Sequence, residues 1–311
     1  MPRARYADPR MRIFDNVTAS AVAAALADVG EELAPDALAP VEHGWRWHVT
    51  LPGDRLMVVP IDELGAQRLV RERRLLAALG PRLSFAVPRP LGAMEGPLDI
   101  RQRVPGETGT RFHWSTLEDP VLATAYAGDL ARVFAELHLT FTAAEAAELT
   151  GSYRPDSYPL PPERLAAVVD SLPSEVHTRL RAAIDRYREI LALPSDPVLV
   201  HGDVGTHNLA FDPVTRRVTG LFDFEEASCA DRHFDFKYLP SYGPRVTQLV
   251  LDDYRDRTGV AIDVPRMRIL HLMTALSFWA WREEDPDAHD RLSSRNRDQA
   301  LAWVGLALFA L

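Results

Sequence analysis

The chain has 311 residues, 47% of them apolar and 25% charged, with a formal net charge of −9. That length can bury a substantial core in one large domain or in two lobes, and the acidic balance excludes a general affinity for nucleic acid or anionic membranes, which calls for a basic surface. Cys229 is the only cysteine, so no intrachain disulfide can form, and the composition suits a reducing cytoplasm, the expected location. Met1–Arg12 is basic but lacks a following apolar core of signal-peptide type, and Trp303–Leu311 is too short to span a bilayer. Lys237 is the only lysine. Any phosphate clamp in the first half of the chain therefore uses arginine, backbone N–H groups or metal.

In chain order, Thr18 to Leu33 reads as a helix, with Thr18 as cap and Val22, Leu26, Val29 and Leu33 at helical spacing. Trp45–Leu51 and Arg55–Val59 read as strands joined by the turn Pro52-Gly53-Asp54. Asp62–Leu79 is a charged amphipathic helix stopped by Gly80-Pro81, and a strand follows over Leu98–Val104. Leu117–Thr140 is helical, with Leu130, Val133, Phe134 and Leu137 on one face. The Pro-rich Tyr153–Pro162 reads as a surface connection, and helices follow near Glu163–Val169 and Ser174–Leu191. Val198–Val200, Leu209–Phe211 and Val218–Phe222 are short strands, and helices are expected over Arg245–Arg257, Pro265–Trp281 and Arg291–Phe309. These elements give a small α+β lobe, an extended connector near Arg101–Gly106 and a larger helical lobe. A cleft between lobes is a favoured place for a ligand.

The chemistry is concentrated in His201-Gly202-Asp203-Val204-Gly205-Thr206-His207-Asn208 and in Leu221-Phe222-Asp223-Phe224-Glu225. Phosphoryl transfer needs a group that accepts or orients the nucleophilic hydroxyl, and metal ligands that help neutralise phosphate charge. Asp203 at the end of an apolar strand suits the first task, and Asn208, five positions on, can turn back beside it. Asp223 at the end of the next strand could supply another oxygen ligand. Singly, each residue would read as a turn or strand-end polar group. The ordered set points to a kinase-type site.

With Asp231-Arg232-His233-Phe234-Asp235 following, this order resembles the aminoglycoside phosphotransferase and choline kinase-like family. The matching context runs from about Gly44 to Asp235 and includes Glu72, Pro105-Gly106 and Leu137-His138. The resemblance implies an α+β, bilobal protein-kinase-like fold, with a small N-terminal lobe holding an antiparallel sheet and a larger, mainly helical C-terminal lobe. Residues 1–100 would form the nucleotide-binding lobe with its leading helix, 101–106 the hinge and 107–311 the catalytic and acceptor-binding lobe. It implies Asp203 as catalytic base, His201 as the residue ordering the catalytic loop, Asn208 and Asp223 as Mg²⁺ ligands, and Asp235 as the loop's brace. ATP, or GTP, would be the donor and a small hydroxylated molecule the acceptor.

The nucleotide lobe departs from the family pattern. Aligning on Val59-Pro60 places Val58 where a phosphate-binding Lys or Arg is expected, although Glu72 matches the helix carboxylate that pairs with that cation. Glu72 could equally be an ordinary helix-surface charge among Arg68, Arg73 and Arg74. Three readings stand: Arg55 or Arg46 enters the site, metal and backbone suffice, or the protein binds nucleotide without transferring phosphate. In Ile100–Gly106 the backbone near Gln102 and Val104 would receive the nucleotide base.

For a cationic acceptor, carboxylates at Glu225, Glu226, Asp231, Asp252, Asp253, Asp256, Glu283, Glu284, Asp285 and Asp287 are candidates, with Trp279 and Trp281 as a cation–π surface. Solvated helix faces and core packing are the competing explanations. His207 could face the acceptor, and Glu225 could touch metal or substrate. The leading expectation is a small-molecule kinase acting on an antibiotic or on a metabolite of choline, homoserine or sugar type, with a pseudokinase as the alternative.

Overall fold

The computed structural model describes residues 17–28, 30–43, 46–92, 99–109, 113–150, 159–193, 196–284, 294–309 and 311. Met1–Arg12, Gly44, Trp45, Leu98, most of the Pro-rich passage, Asp285, Asp287 and the side chains of Trp281, Glu283 and Glu284 lie outside the described residues. The chain divides into two units, Met1–Pro105 with Gly220–Glu225, and Gly106–Thr219 with Glu226–Leu311. The division is not one of contiguous sequence, because the segment carrying Asp223 returns to the first unit.

In the first unit, α1 (Ala19–Ala27) begins where Thr18 Oγ1 accepts from Ala21 N at 3.2 Å. It ends short of Leu33 because Gly30 takes φ +83°, a left-handed conformation that stops a helix and lets Glu31 N reach Leu26 O at 2.9 Å. The strands β1 (Pro40–His43), β2 (Arg46–Leu51) and β3 (Arg55–Pro60) form a meander, its second turn made by Gly53 and Asp54 at positive φ. Next comes α2 (Glu63–Leu79), capped by Asp62, whose carboxylate accepts from Gly65 N at 2.7 Å. With β4 (Arg89–Leu91) and β5 (Asp99–Gln102) the sheet is antiparallel throughout, in the order β1-β2-β3-β5-β4. Val49, Leu51, Met57 and Ile100 pack with Val22 and Leu26 of α1.

The second unit is mainly helical. It begins with β6 (Glu107–Thr108) and α3 (His113–Glu118). A break then separates α3 from α4 (Pro120–Thr140), where a single helix was expected. The Asp119 carboxylate accepts from Val121 N at 2.8 Å and Leu122 N at 3.1 Å, and Pro120 takes the first helical position, so a new helix starts there. The chain continues through α5 (Ala143–Thr150), α6 (Pro162–Val168), α7 (His177–Ala192), β7 (Pro197–Val200), β8 (Leu209–Phe211), β9 (Val218–Leu221) and β10 (Ser228–Asp231). A run of 3₁₀ turns over Arg232–Tyr242 leads to α8 (Pro244–Thr258), α9 (Val264–Glu284) and α10 (Ser294–Phe309). Leu165, Ile184, Tyr187, Leu272, Leu276, Trp279 and Val304 belong to one core joining α6, α7, α9 and α10. Trp279 is therefore core, and its indole donates to Ser171 Oγ at 2.9 Å. β7 pairs antiparallel with β10, an element without a sequence signal of its own. Among the described residues no helix is long and apolar enough to cross a membrane.

The start of β9 is fixed by Asp129 on α4, a residue 2% exposed. Its carboxylate accepts from Arg217 Nε at 2.8 Å, Arg217 Nη2 at 2.7 Å and Val218 N at 3.0 Å. Arg217→Ala would remove two of the three hydrogen bonds that hold this buried carboxylate, so it is expected to cost about 2 kcal/mol, read as a lower denaturant midpoint at unchanged m-value. A midpoint equal to wild type would contradict this assignment.

Candidate active site

In the second unit, β7 delivers His201, which is fully buried, and the chain then turns at Gly202 with φ +81°. A Cβ there would lie 3.0 Å from Glu226 O, so the turn requires glycine on both counts. Asp235, from the 3₁₀ run, accepts from Gly202 N at 2.7 Å and from His201 N at 3.1 Å. His201 Nδ1 accepts from Asp203 N at 3.1 Å, which orients the following residue.

Asp203 is the focus of the loop. Its Oδ2 accepts from Asn208 Nδ2 at 2.9 Å and lies 3.0 Å from His207 Nε2, while Oδ1 accepts from Tyr238 OH at 2.7 Å. Gly205 makes this possible, since a Cβ there would meet the His207 ring at 2.3 Å. The Lys237 ammonium is buried and donates to Gly202 O. Burial alone would push the Asp203 carboxyl up, but His207, Lys237 and the Tyr238 hydroxyl hold it below the ordinary carboxylate range.

The brace is itself held. His138 on α4 places Nε2 3.1 Å from Asp235 Oδ2 and Nδ1 2.8 Å from Tyr254 OH. Arg232 Nη1 donates to the Tyr254 oxygen at 3.0 Å, so that hydroxyl proton is available to His138 Nδ1. His138 then carries its own proton on Nε2, toward Asp235.

In the first unit, Glu72 on α2 is 3% exposed and is no surface charge. Arg46 Nη1 donates to its Oε2 at 3.1 Å, and Arg101 approaches it with Nη1 at 2.9 Å and Nη2 at 3.1 Å. Arg101 also donates to both oxygens of Asp99, at 3.0 and 2.6 Å. Arg46 continues to Asp223, and stands 3.6 Å from Glu225. Burial would raise the Glu72 carboxyl, but Arg101 and Arg46 bring it down to about 2.

Of the two arginines that could replace the cation missing at Val58, Arg46 thus stands among the carboxylates. Arg55 is engaged elsewhere, donating to Glu31 Oε1 at 2.6 Å and to Pro52 O at 3.0 Å. Val58 is buried and packs against Leu69 of α2. Gln102 lies within the sheet, its side-chain amide on Gly53 O at 3.1 Å and Asp54 O at 3.0 Å. Among the described residues, no backbone hydrogen bond engages Val104.

A family model described as "Phosphotransferase enzyme family" matches residues 38–270. The chain belongs to that family. Among curated proteins it is 32% identical to the streptomycin 3''-kinase of Streptomyces griseus over 32% of this chain and 39% of that one. It is 34% identical to the aminoglycoside 3'-phosphotransferase of Streptomyces fradiae over 24% of this chain and 31% of that one. These matches thus span 39% and 31% of the two curated relatives' own lengths. Among solved structures, the macrolide 2'-phosphotransferase of Brachybacterium faecium covers 92% of this chain and 97% of its own, with 21% identity and a TM-score of 0.63. The GDP complex of aminoglycoside 2'-phosphotransferase-IIIa covers 88% of this chain and 92% of its own, with 16% identity and a TM-score of 0.65. The α+β fold expected from the sequence, a small part with an antiparallel sheet and a larger, mainly helical part, is the fold of this phosphotransferase family.

Other expected contacts are placed differently in this family member. Asp231 is buried, 2.6 Å from His233 Nδ1 and paired with Arg266, so its charge is spent inside the protein rather than offered to an acceptor. On α8, Asp252 pairs with Arg255 at 3.2 Å and Asp253 with Arg257 at 3.0 Å. Tyr238 and Arg101 are contacts that sequence reasoning missed. Arg101 carried one signal, a charged residue between Ile100 and Gln102 where a central strand should bury every second side chain. Tyr238 carried none.

Asn208 in the second unit and Asp223 in the first each offer a hard oxygen of the kind Mg²⁺ takes. Asn208 uses its Nδ2 on Asp203 O and Oδ2, and among the described residues nothing engages its Oδ1. Asp223 gives one oxygen to Arg46 and keeps the other, held by a backbone at φ 68°, unusual for a non-glycine residue and frequent at functional sites.

His271 on α9 supports the loop from behind: its Nδ1 lies 2.7 Å from Lys237 O, and its Nε2 accepts from Trp303 Nε1 at 3.2 Å. The ring is therefore neutral, and burial brings it from 6.5 down to about 4. A depressed histidine contributes stability that is complete above its unfolded value and is lost as pH falls toward its folded one. Stability is expected to drop by about 3 kcal/mol between pH 6.5 and 4 from this group alone. His271→Gln should flatten that part of a denaturation-versus-pH profile; an unchanged slope would count against the neutral ring.

Proposed function

We propose that this protein is a Mg²⁺-dependent phosphotransferase moving the γ-phosphate of ATP or GTP to a hydroxyl of a small molecule, of the aminoglycoside or macrolide class. The observation that carries the reading is the Asp203 carboxylate, set on a loop pinned by Asp235 and ringed by oriented donors. The relatives named for streptomycin, aminoglycosides and macrolides support the acceptor class, and the GDP-bound neighbour supports a nucleotide donor.

In this reading the acceptor hydroxyl donates to Asp203, its oxygen bonds to the γ-phosphorus, and the bond from that phosphorus to the bridging oxygen breaks to release the nucleoside diphosphate. The hydroxyl proton passes to Asp203. A carboxylate held below its ordinary range is a weak base, so its larger contribution is orientation of the nucleophile. That suits a loose transition state in which the proton is lost late. Asn208 Oδ1 and the open Asp223 oxygen are the assigned Mg²⁺ ligands, and the ion, when bound, neutralises charge on the phosphate oxygens. Arg46 is assigned the donor phosphates, in the role that Val58 leaves vacant. A guanidinium is a competent planar phosphate partner, and Glu72 keeps it in place. This answers the absence that would favour a nucleotide binder without turnover.

Asp203→Ala is expected to lower kcat by at least about a thousandfold while nucleotide affinity, measured by calorimetry, stays close to wild type. Near-normal turnover would sink the assignment. Arg46→Ala is expected to weaken nucleotide binding by about tenfold or more, whereas Arg55→Ala leaves it unchanged; the reverse order would return the role to Arg55.

A further inference from the structure

Beside Asp203 the second unit carries a continuous row of aromatic rings. His207 meets Tyr238 edge-on at a centroid distance of 6.1 Å, Tyr238 stacks on Trp303 at 6.3 Å, and Trp303 meets Phe278 at 5.9 Å. The four come from the catalytic loop, the 3₁₀ run, α10 and α9, so four separate elements converge on one row. His207 is exposed, and the other three are partly exposed. Phe278 and Trp303 rest on the main core of the unit, which gives the row a rigid backing.

The row begins at the reacting carboxylate. An aspartate presents about four lone-pair positions. Here Oδ2 is occupied by Asn208 and His207, and one side of Oδ1 by Tyr238. His207 and Tyr238 thus touch both the Asp203 carboxylate and each other, so a hydroxyl received by Asp203 brings the rest of its molecule to the start of the aromatic row. No member of the row carries a carboxylate. The Lys237 ammonium sits 5.3 Å from the Tyr238 ring centroid and opposes the approach of many positive charges. Of the carboxylates considered for a cationic acceptor, Asp231 is buried and paired with His233 and Arg266.

We propose that His207, Tyr238, Trp303 and Phe278 form the acceptor-binding surface, and that its ligand is a hydroxylated ring compound with an apolar face and at most one positive charge. The proposal rests on Asp203 receiving the acceptor hydroxyl, as in the function proposed above. Aromatic faces bind apolar ring faces through large contact area at low entropic cost, and they tolerate a single cation by cation–π attraction. They offer nothing to neutralise several ammonium groups.

The test compares a macrolide, an uncharged nucleoside antibiotic and kanamycin, each measured for binding by calorimetry and for phosphate transfer with ATP and with GTP. Wild type is expected to bind the macrolide or the nucleoside about tenfold or more tighter than kanamycin. Trp303→Ala is expected to raise the KM of the preferred acceptor by about tenfold, with the larger effect on KM than on kcat, and with unchanged nucleotide affinity. Trp303→Phe keeps a ring in the core and should fall between the two, which covers failure of the alanine variant to fold. Preference for kanamycin, or full affinity in Trp303→Phe and Trp303→Ala, overturns the surface. Transfer to kanamycin that depends on Asp203 would keep the kinase reading and discard this one. Ring-compound binding that Trp303→Phe weakens, without transfer from either nucleotide, would keep the surface and discard the kinase reading.

Discussion

The Asp235 carboxylate is 1% exposed and accepts from two consecutive backbone N–H groups, those of His201 and Gly202, and faces His138 Nε2. A buried charge of this kind is tolerable only with its donors in place, so the shape of the turn after β7 is set by Asp235. The rest of the loop follows from that turn. His201 Nδ1 is left to receive Asp203 N, which fixes the backbone of Asp203. Gly205 leaves room for His207, and Asn208 closes the loop back onto the aspartate. The supporting chain from His138 through Tyr254 to Arg232 reaches into α4 and α8, which share one of the broadest packing contacts in this unit. Changes deep in those helices therefore have a physical route to the Asp203 carboxylate.

The first unit solves a similar problem with opposite charges. Glu72 is buried among the strands and is matched by Arg46 and Arg101, from β2 and β5. Arg46 also reaches Asp223, where the chain returns from the second unit. A lysine ammonium is a compact point charge, whereas the guanidinium presents five donors in a planar fork. One Arg46 can consequently hold Glu72 and Asp223 together while standing near Glu225. Lysine at Val58 would meet Leu69 and Leu56, an apolar setting in this chain. In the proposed reading the cation stands on the neighbouring strand, and position 58 is filled with core.

Much of this was legible in the sequence where the signal is local. The spacing of Asp203 and Asn208, Asp223 at a strand end, and the amphipathic helices all arise from patterns within a few residues. The division of Leu117–Thr140 was visible in Asp119-Pro120, a cap followed by a first-position proline. What escaped was set by tertiary pairing. β10 is a strand because β7 offers it an edge, not because Ser228-Cys229-Ala230-Asp231 favours one. Arg46 and Arg55 each begin one of two neighbouring strands and look alike in composition. Only the sheet register and the neighbourhood of Glu31 and Glu72 distinguish them. The acidic residues after the central motif suggested a cationic pocket, but charge counts in sequence do not reveal which carboxylates are already paired.

The lone lysine sharpens the contrast between the two units. Arginine carries the positive charge of this chain at every position but one, and that one, Lys237, is buried under the catalytic loop. There an ammonium on a long apolar stem points at the carbonyl of Gly202 and lies against the Tyr238 ring. Its charge also lowers the Asp203 carboxyl and so favours an ionised, fixed acceptor of hydrogen bonds over a strong base. The same side chain thereby ties the loop's backbone, the Asp203 carboxylate and the Tyr238 ring into one group. A loop so constrained can select among acceptors by the shape and polarity of what stands beside Asp203, because the carboxylate itself has little freedom to move toward a poorly placed hydroxyl.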